Sequence, residues 1–83
     1  MDYNTRQHLH ILVRELDDAH LRVPVAYTHT ELAHKELKRL QTEGVTGPEL
    51  ASADARYKAS LDYYASCITC LDRTRKELAE AIG

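Results

Sequence analysis

Apolar residues recur along the first half of the chain at alternating steps of three and four positions. The series is Leu9, Leu12, Leu16, Ala19, Val23, Ala26, Thr30, Ala33, Leu37 and Leu40. This spacing places its members on one stripe of an α-helix and is typical of the a/d seam of a coiled coil. Asn4 followed by Gln7 predicts the start of this helix, and Gly44 predicts its end. We therefore expect a first helix over about residues 4–43.

A proline interrupts the hydrogen-bond ladder expected for this helix. Pro24 has no N–H to donate to the His20 carbonyl, and its ring clashes with the preceding turn. The heptad register continues across Pro24, which favours one helix with a kink near this position. In the alternative, Thr28 and Glu31 form a capping box that restarts the chain, which would break the first helix and give a three-helix bundle.

The segment after Gly44 carries signals for the start of a second helix. Thr46 lies three residues before Glu49, which is the spacing of a capping box. Val45 and Leu50 occupy the positions of a hydrophobic staple across that cap, and a proline at position 48 suits a first helical turn. The sequence thus predicts a turn over residues 44–47 and a new helix directly after it.

The second helix is predicted over about residues 47–82, a stretch with no glycine or proline after position 48. At 1.5 Å per residue this helix is roughly 50 Å long. We therefore expect an all-α fold, a single helical domain over residues 1–83 built as a long antiparallel hairpin. Pairing Leu40 with Leu50 across the turn makes the numbers of opposite residues sum to about 90.

Apolar side chains cover a wider arc of both helices than one helix–helix contact can bury. The central row of the second helix is Leu50, Tyr57, Tyr64, Leu71 and Leu78, and one flank carries the small residues Ala53, Ser60, Cys67, Thr74 and Ala81. The surplus predicts assembly into a four-helix bundle, as a homodimer, or docking on another protein. The predicted interface residues are Tyr57, Leu61, Tyr63, Tyr64, Ile68, Ile11, Leu21, Val25 and Leu32.

The distribution of charge narrows the choice of partners. The chain has 11 basic and 13 acidic side chains, a net charge of −2, and no basic cluster, so we do not expect nucleic acid as the main partner. No run approaches the roughly 20 apolar residues of a membrane span, and the first residues do not resemble a targeting signal. We expect no membrane association and a cytoplasmic location, with which two cysteines three positions apart agree.

The Cys67-x-x-Cys70 pair is the one motif that suggests metal or redox chemistry. It lies about twenty residues inside a helix rather than at a helix N-terminus, and zinc needs two more ligands. His20 is at a similar height along the hairpin but on the other flank, so Cys67, Cys70 and His20 are weak candidates for a metal site. We interpret both cysteines as packed side chains and predict no metal and no cofactor.

The sequence contains no catalytic fingerprint such as a P-loop, a nucleophile elbow or a dinucleotide-binding motif, and we do not expect an enzyme. The leading hypothesis is a helical protein–protein interaction module, a self-associating adaptor, assembly factor or stoichiometric regulator of a larger protein. One alternative is a small metal-binding or redox-responsive regulator that uses Cys67 and Cys70. A further alternative is a helical regulator associated with DNA.

Overall fold

A computed structural model describes residues 2–83, which form two antiparallel helices joined by a short turn. Helix α1 spans Tyr3–Thr42 and helix α2 spans Pro48–Ile82. The molecule measures 63 × 16 × 14 Å and has a radius of gyration of 18.6 Å. A globular chain of this length would have a radius of gyration of about 12 Å, so the hairpin is strongly elongated. The prediction of an all-α antiparallel hairpin is confirmed.

Helix α1 begins slightly before the predicted position. Its N-cap is Asp2, whose carboxylate accepts the backbone N–H of Thr5 at 2.8 Å. This hydrogen bond favours the charged form and lowers the pKa of Asp2. The prediction that Asn4 and Gln7 mark the helix start was therefore wrong. The Asp2 carboxylate, two residues before Asn4, accepts the hydrogen bond of the free Thr5 N–H in the first turn and so caps the helix.

Helix α1 passes through Pro24 without interruption. The Thr28 hydroxyl donates to the Pro24 carbonyl at 3.0 Å, one turn back along the same helix. Thr28 is thus an internal helical residue and does not form the alternative capping box with Glu31. The break at Pro24 and the three-helix bundle that it implied are wrong, and the continuous heptad register was the correct signal.

The end of α1 is a Schellman motif around Gly44. The Val45 N–H donates to the Leu40 carbonyl at 3.0 Å, and the Gly44 N–H donates to the Gln41 carbonyl at 3.1 Å. Gly44 has a φ of 76°, in the left-handed region that this motif requires and that glycine adopts without strain. Val45 packs against the buried cluster that includes Leu40, which supplies the apolar contact of the motif.

Helix α2 begins at Pro48, and its N-cap is Gly47 with φ 81° and ψ −148°. No described side chain makes a capping hydrogen bond at this end. The predicted capping box of Thr46 and Glu49 is therefore wrong, because the glycine backbone takes the cap position one residue later. Glu49 still lies in the first turn, where a negative charge interacts favourably with the helix dipole.

Replacing Gly47 with alanine should destabilise the hairpin by about 1–3 kcal/mol, because its backbone conformation is essentially restricted to glycine. Thr46→Ala is the matched control and should change the free energy of unfolding by less than about 0.5 kcal/mol, since Thr46 does not cap α2. Urea unfolding at one fixed protein concentration measures both values. A loss of about 1 kcal/mol from Thr46→Ala with no loss from Gly47→Ala would restore the capping box.

The contact between the helices is built largely from small residues. The buried apolar side chains are Leu12, Ala19, Ala26, Leu37, Leu40, Ala53, Cys67 and Leu71, and the buried polar ones are Thr30 and Thr74. The Thr30 hydroxyl lies 2.8 Å from the Ala26 carbonyl and 3.1 Å from the Ser60 carbonyl of α2. A short side chain can reach the opposite backbone only where the helices approach closely. The pairing of residues 30 and 60 agrees with the predicted register.

The buried positions of α2 belong to both the central row and the small flank of its apolar arc. In the central row Leu71 is buried and Tyr57 and Tyr64 are half-buried, whereas Ala53, Cys67 and Thr74 on the small flank are buried. Small side chains allow α1 to approach that flank, so the helix contact is centred between the two rows.

Within residues 2–83, neither helix combines the length and the apolar character that a membrane crossing needs.

Candidate interaction faces

One long side of the hairpin is built from paired aromatic rings and aliphatic side chains. The rings of Tyr27 and Tyr64 have centroids 5.7 Å apart at 52°, and those of His34 and Tyr57 are stacked 4.9 Å apart at 22°. Leu61 and Ile68 follow the two α2 tyrosines by one helical turn and lie on the flank away from the small residues. We call this side the aromatic face and define it as Val13, Tyr27, His34, Tyr57, Leu61, Tyr64 and Ile68.

The aliphatic part of the aromatic face is open to solvent. Val13, Leu61 and Ile68 are exposed by 46%, 40% and 36%, although they are large and apolar. Along the centre of this side the sequence places no Asp, Glu, Lys or Arg; the positions are 13, 16, 20, 23, 27, 30, 34 and 37 in α1 and 57, 61, 64, 68 and 71 in α2. In α2 this stretch is flanked by Asp54 and Arg75, which share the helical stripe of Leu61 and Ile68. Glu31, one turn beyond Tyr27, raises the pKa of the Tyr27 phenol through hydrogen bonding and its negative charge. The Tyr27 hydroxyl is therefore uncharged at neutral pH.

The opposite side of the hairpin is a groove with a floor of small residues. Its volume is about 550 Å³, and its lining is Ala26, His29, Leu32, Ala33, Glu36, Ala53, Arg56, Ala59, Ser60 and Tyr63. We call this side the small-residue groove. Alanine and serine leave room above the helix contact, and the charged residues Glu36 and Arg56 are among the lining of the space that results.

An ion-pair network along α1 fixes the side chain of Glu36 on one rim of the groove. Arg39 donates to Glu36 at 2.6 and 3.1 Å and to Glu43 at 3.0 and 3.1 Å. The hydrogen bond from Arg39 lowers the pKa of Glu36, so this carboxylate stays charged at neutral pH. A surface that packs on the groove must therefore accommodate a charged Glu36 on one rim and Arg56 on the other.

The predicted interface residues divide between these two sides. Tyr57, Leu61, Tyr64 and Ile68 lie on the aromatic face, whereas Leu32 and Tyr63 line the small-residue groove. Ile11 and Val25 share the helical stripe of Leu32, to which they are related by multiples of seven positions, and Leu21 is 69% exposed on the outside of α1. The structure does not unite the nine residues into one surface.

Three members of the aromatic face, Val13, Tyr27 and His34, are absent from the predicted interface. Each lies four residues after a member of the heptad series, Leu9, Val23 or Thr30, and so borders the seam on the side of the α2 tyrosines. That spacing was the available signal.

The two thiols lie on the side of the groove. Cys67 is buried, Cys70 is half-buried, and both are free thiols. Together with Ala19, Arg22, Tyr63 and Ser66 they line a cavity of about 140 Å³. The Arg73 guanidinium donates to the Cys70 sulfur at 3.8 Å. Across residues 2–83, no group of three or more His, Cys, Asp or Glu side chains is placed to hold a metal ion, so His20 does not join the two cysteines.

Comparison with known proteins provides no assignment for these surfaces. No protein-family model matches the chain, and neither a curated protein nor a solved structure matches it. The basis for a functional proposal is therefore the chemistry and the extent of the surface itself.

Proposed function

We propose that this chain is a non-enzymatic protein–protein interaction module that self-associates as a homodimer and serves a larger protein as an adaptor, an assembly factor or a stoichiometric regulator. The supporting observation is an excess of exposed surface. The hairpin exposes 6227 Å², whereas a compact monomer of 9.5 kDa exposes about 5,000 Å². Each chain thus carries an excess of about 1,200 Å².

This excess has the size of a protein interface. A stable interface of standard size buries about 800 Å² on each partner, and obligate dimers bury more. Large apolar side chains contribute to this exposed surface: the exposed large hydrophobic residues are Tyr3, Ile11, Val13, Leu21, Val25, Tyr27, Leu32, Leu61, Tyr63, Ile68 and Ile82. Of these, Val13, Tyr27, Leu61 and Ile68 lie together on the aromatic face, and an apolar patch of this kind on a monomer typically marks a binding site.

The small size of the intramolecular core supports the same proposal. Leucine supplies four of the eight buried apolar side chains, and the others are three alanines and a cysteine. A chain of this length gains only a few kcal/mol from a single core, and association is a common way to add to it. A second helical layer on one side of the hairpin would produce the four-helix bundle that the surplus of apolar residues predicts.

Light scattering and thermal unfolding of the purified chain test self-association. We expect the mass of a dimer at micromolar concentration. The Tm should rise by about 4 °C for each tenfold increase in concentration, because unfolding then releases two chains with a combined enthalpy near 120 kcal/mol. A monomeric mass with a Tm that is independent of concentration would refute the homodimer.

A further inference from the structure

We infer that a second copy of this chain covers the aromatic face and leaves the small-residue groove open on the outside of the dimer. This inference rests on the proposed self-association and specifies its surface. Both sides of the hairpin expose apolar residues, so the choice between them depends on charge and on side-chain size.

Charge favours the aromatic face. In a twofold-symmetric dimer the same surface of each copy meets its counterpart, so that any charge at the centre is brought near a copy of itself. The middle of the aromatic side carries no Asp, Glu, Lys or Arg from position 57 to position 71 of α2, about 21 Å of helix, and Asp54 and Arg75 flank this stretch on the stripe of Leu61 and Ile68. The groove has Glu36 and Arg56 on its two rims, so a second copy packed on the groove would have to accommodate these charges beside copies of themselves.

Side-chain size favours the same face. Tyr57 and Tyr64 are half-buried and already held by their ring contacts with His34 and Tyr27. Aromatic side chains that are fixed before association lose little conformational entropy and are common anchors of interfaces. The groove floor is instead alanine and serine, so a matching copy of itself would leave the space above this floor unfilled.

The side of the hairpin that carries the aromatic face is large enough for a stable dimer. It is 63 Å long and 16 Å wide, a flat area of about 1,000 Å², so an interface of standard size, about 800 Å² on each partner, extends from the aromatic face over the flanking polar positions of the same side. A second copy supplies a surface of the same length and the same apolar character. The two hairpins together then form a four-helix bundle whose inner side chains include Leu61 and Ile68.

A pair of matched variants tests the choice of face. Leu61→Glu places a carboxylate in the proposed interface, and Leu32→Glu places the same group beside the groove, at a position that is more exposed in the hairpin, 59% against 40%. In sedimentation equilibrium we expect Leu61→Glu to raise the dimer Kd by more than about a hundredfold, since each dimer buries two such charges. Leu32→Glu should change the Kd by less than about threefold, as expected for a solvated surface charge.

A photo-crosslinking measurement keeps the inference testable if Leu61→Glu does not fold. The apolar photo-crosslinker p-benzoylphenylalanine replaces Leu61 in one variant and Leu32 in another, and both are irradiated under conditions where the wild-type chain is dimeric. We expect a covalent dimer from position 61 and little from position 32. A covalent dimer from position 32 alone would overturn the inference but leave self-association intact. A wild-type chain that is monomeric at every accessible concentration would overturn both proposals.

Discussion

Replacing Pro24 with alanine should raise the free energy of unfolding of the hairpin by up to about 3 kcal/mol, the cost of a proline inside a helix. Alanine restores an N–H that can donate to the His20 carbonyl and removes the ring that crowds the preceding turn. The loss of packing should be small, because Pro24 is exposed. For a chain of this size the Tm should increase by roughly 10–20 °C, measured by circular dichroism at a fixed concentration.

The neighbouring Val25→Ala variant is the matched control for this measurement. Val25 is also an exposed residue of α1, at 57%, and alanine there improves helix propensity without adding a hydrogen bond. Its effect should stay within about 0.7 kcal/mol. If Pro24→Ala gains no more stability than Val25→Ala, the proline does not weaken the backbone hydrogen bonding of α1 around His20. If Pro24→Ala changes the mass of the assembly, the proline shapes the interface as well as the helix.

The long-range pattern of the sequence predicted the hairpin because its signal is repeated many times. Ten positions from Leu9 to Leu40 hold the same register, and one proline cannot cancel a periodicity of that length. The energy that keeps α1 continuous comes from burying this seam against α2, including residues on both sides of Pro24 such as Ala19 and Ala26. A local penalty of a few kcal/mol is smaller than that distributed gain.

The helix starts were predicted less well, because capping depends on one or two backbone angles that the side-chain pattern does not determine. Thr46 and Glu49 have the correct spacing for a capping box, but Gly47 adopts a conformation that shifts the cap by one residue. At the start of α1, Asn4 and Asp2 are both acceptable capping residues, and geometry favours Asp2. Sequence alone offers several caps with similar energies.

The candidate interface could be predicted in composition but not in layout. The sequence identified the surplus residues Leu61 and Ile68, whereas the assignment of Leu32 and Tyr63 to the opposite side needed the orientation of the two helices. That orientation is set by how closely the helices approach, which follows from small residues such as Ala53 in the seam. A heptad pattern predicts which stripe of a helix is buried. The exact rotation of the helix about its own axis, which decides on which side the residues bordering that stripe lie, depends on packing.

The largest loss of stability should come from Leu40→Ala. Leu40 is 2% exposed and belongs to the cluster of Leu37 and Ala53 beside the turn, against which Val45, Leu50 and Tyr57 pack. Truncating a buried leucine removes its transfer free energy and leaves a cavity, together about 2–5 kcal/mol. Since a chain of this length has a total stability of about 4–12 kcal/mol, this loss is a large fraction of the free energy of unfolding. Urea unfolding followed by circular dichroism measures the loss.

Leu21→Ala is the control that makes this prediction specific to the hairpin core. Leu21 is the same residue type in the same helix, but it is 69% exposed and lies outside both the aromatic face and the small-residue groove. Its truncation should cost less than about 0.5 kcal/mol in the isolated protein. A loss from Leu21→Ala comparable to that from Leu40→Ala would mean that α1 is covered on its outer side as well. The assembly would then contain more than two hairpins, because a dimer through the aromatic face leaves that side of α1 in water.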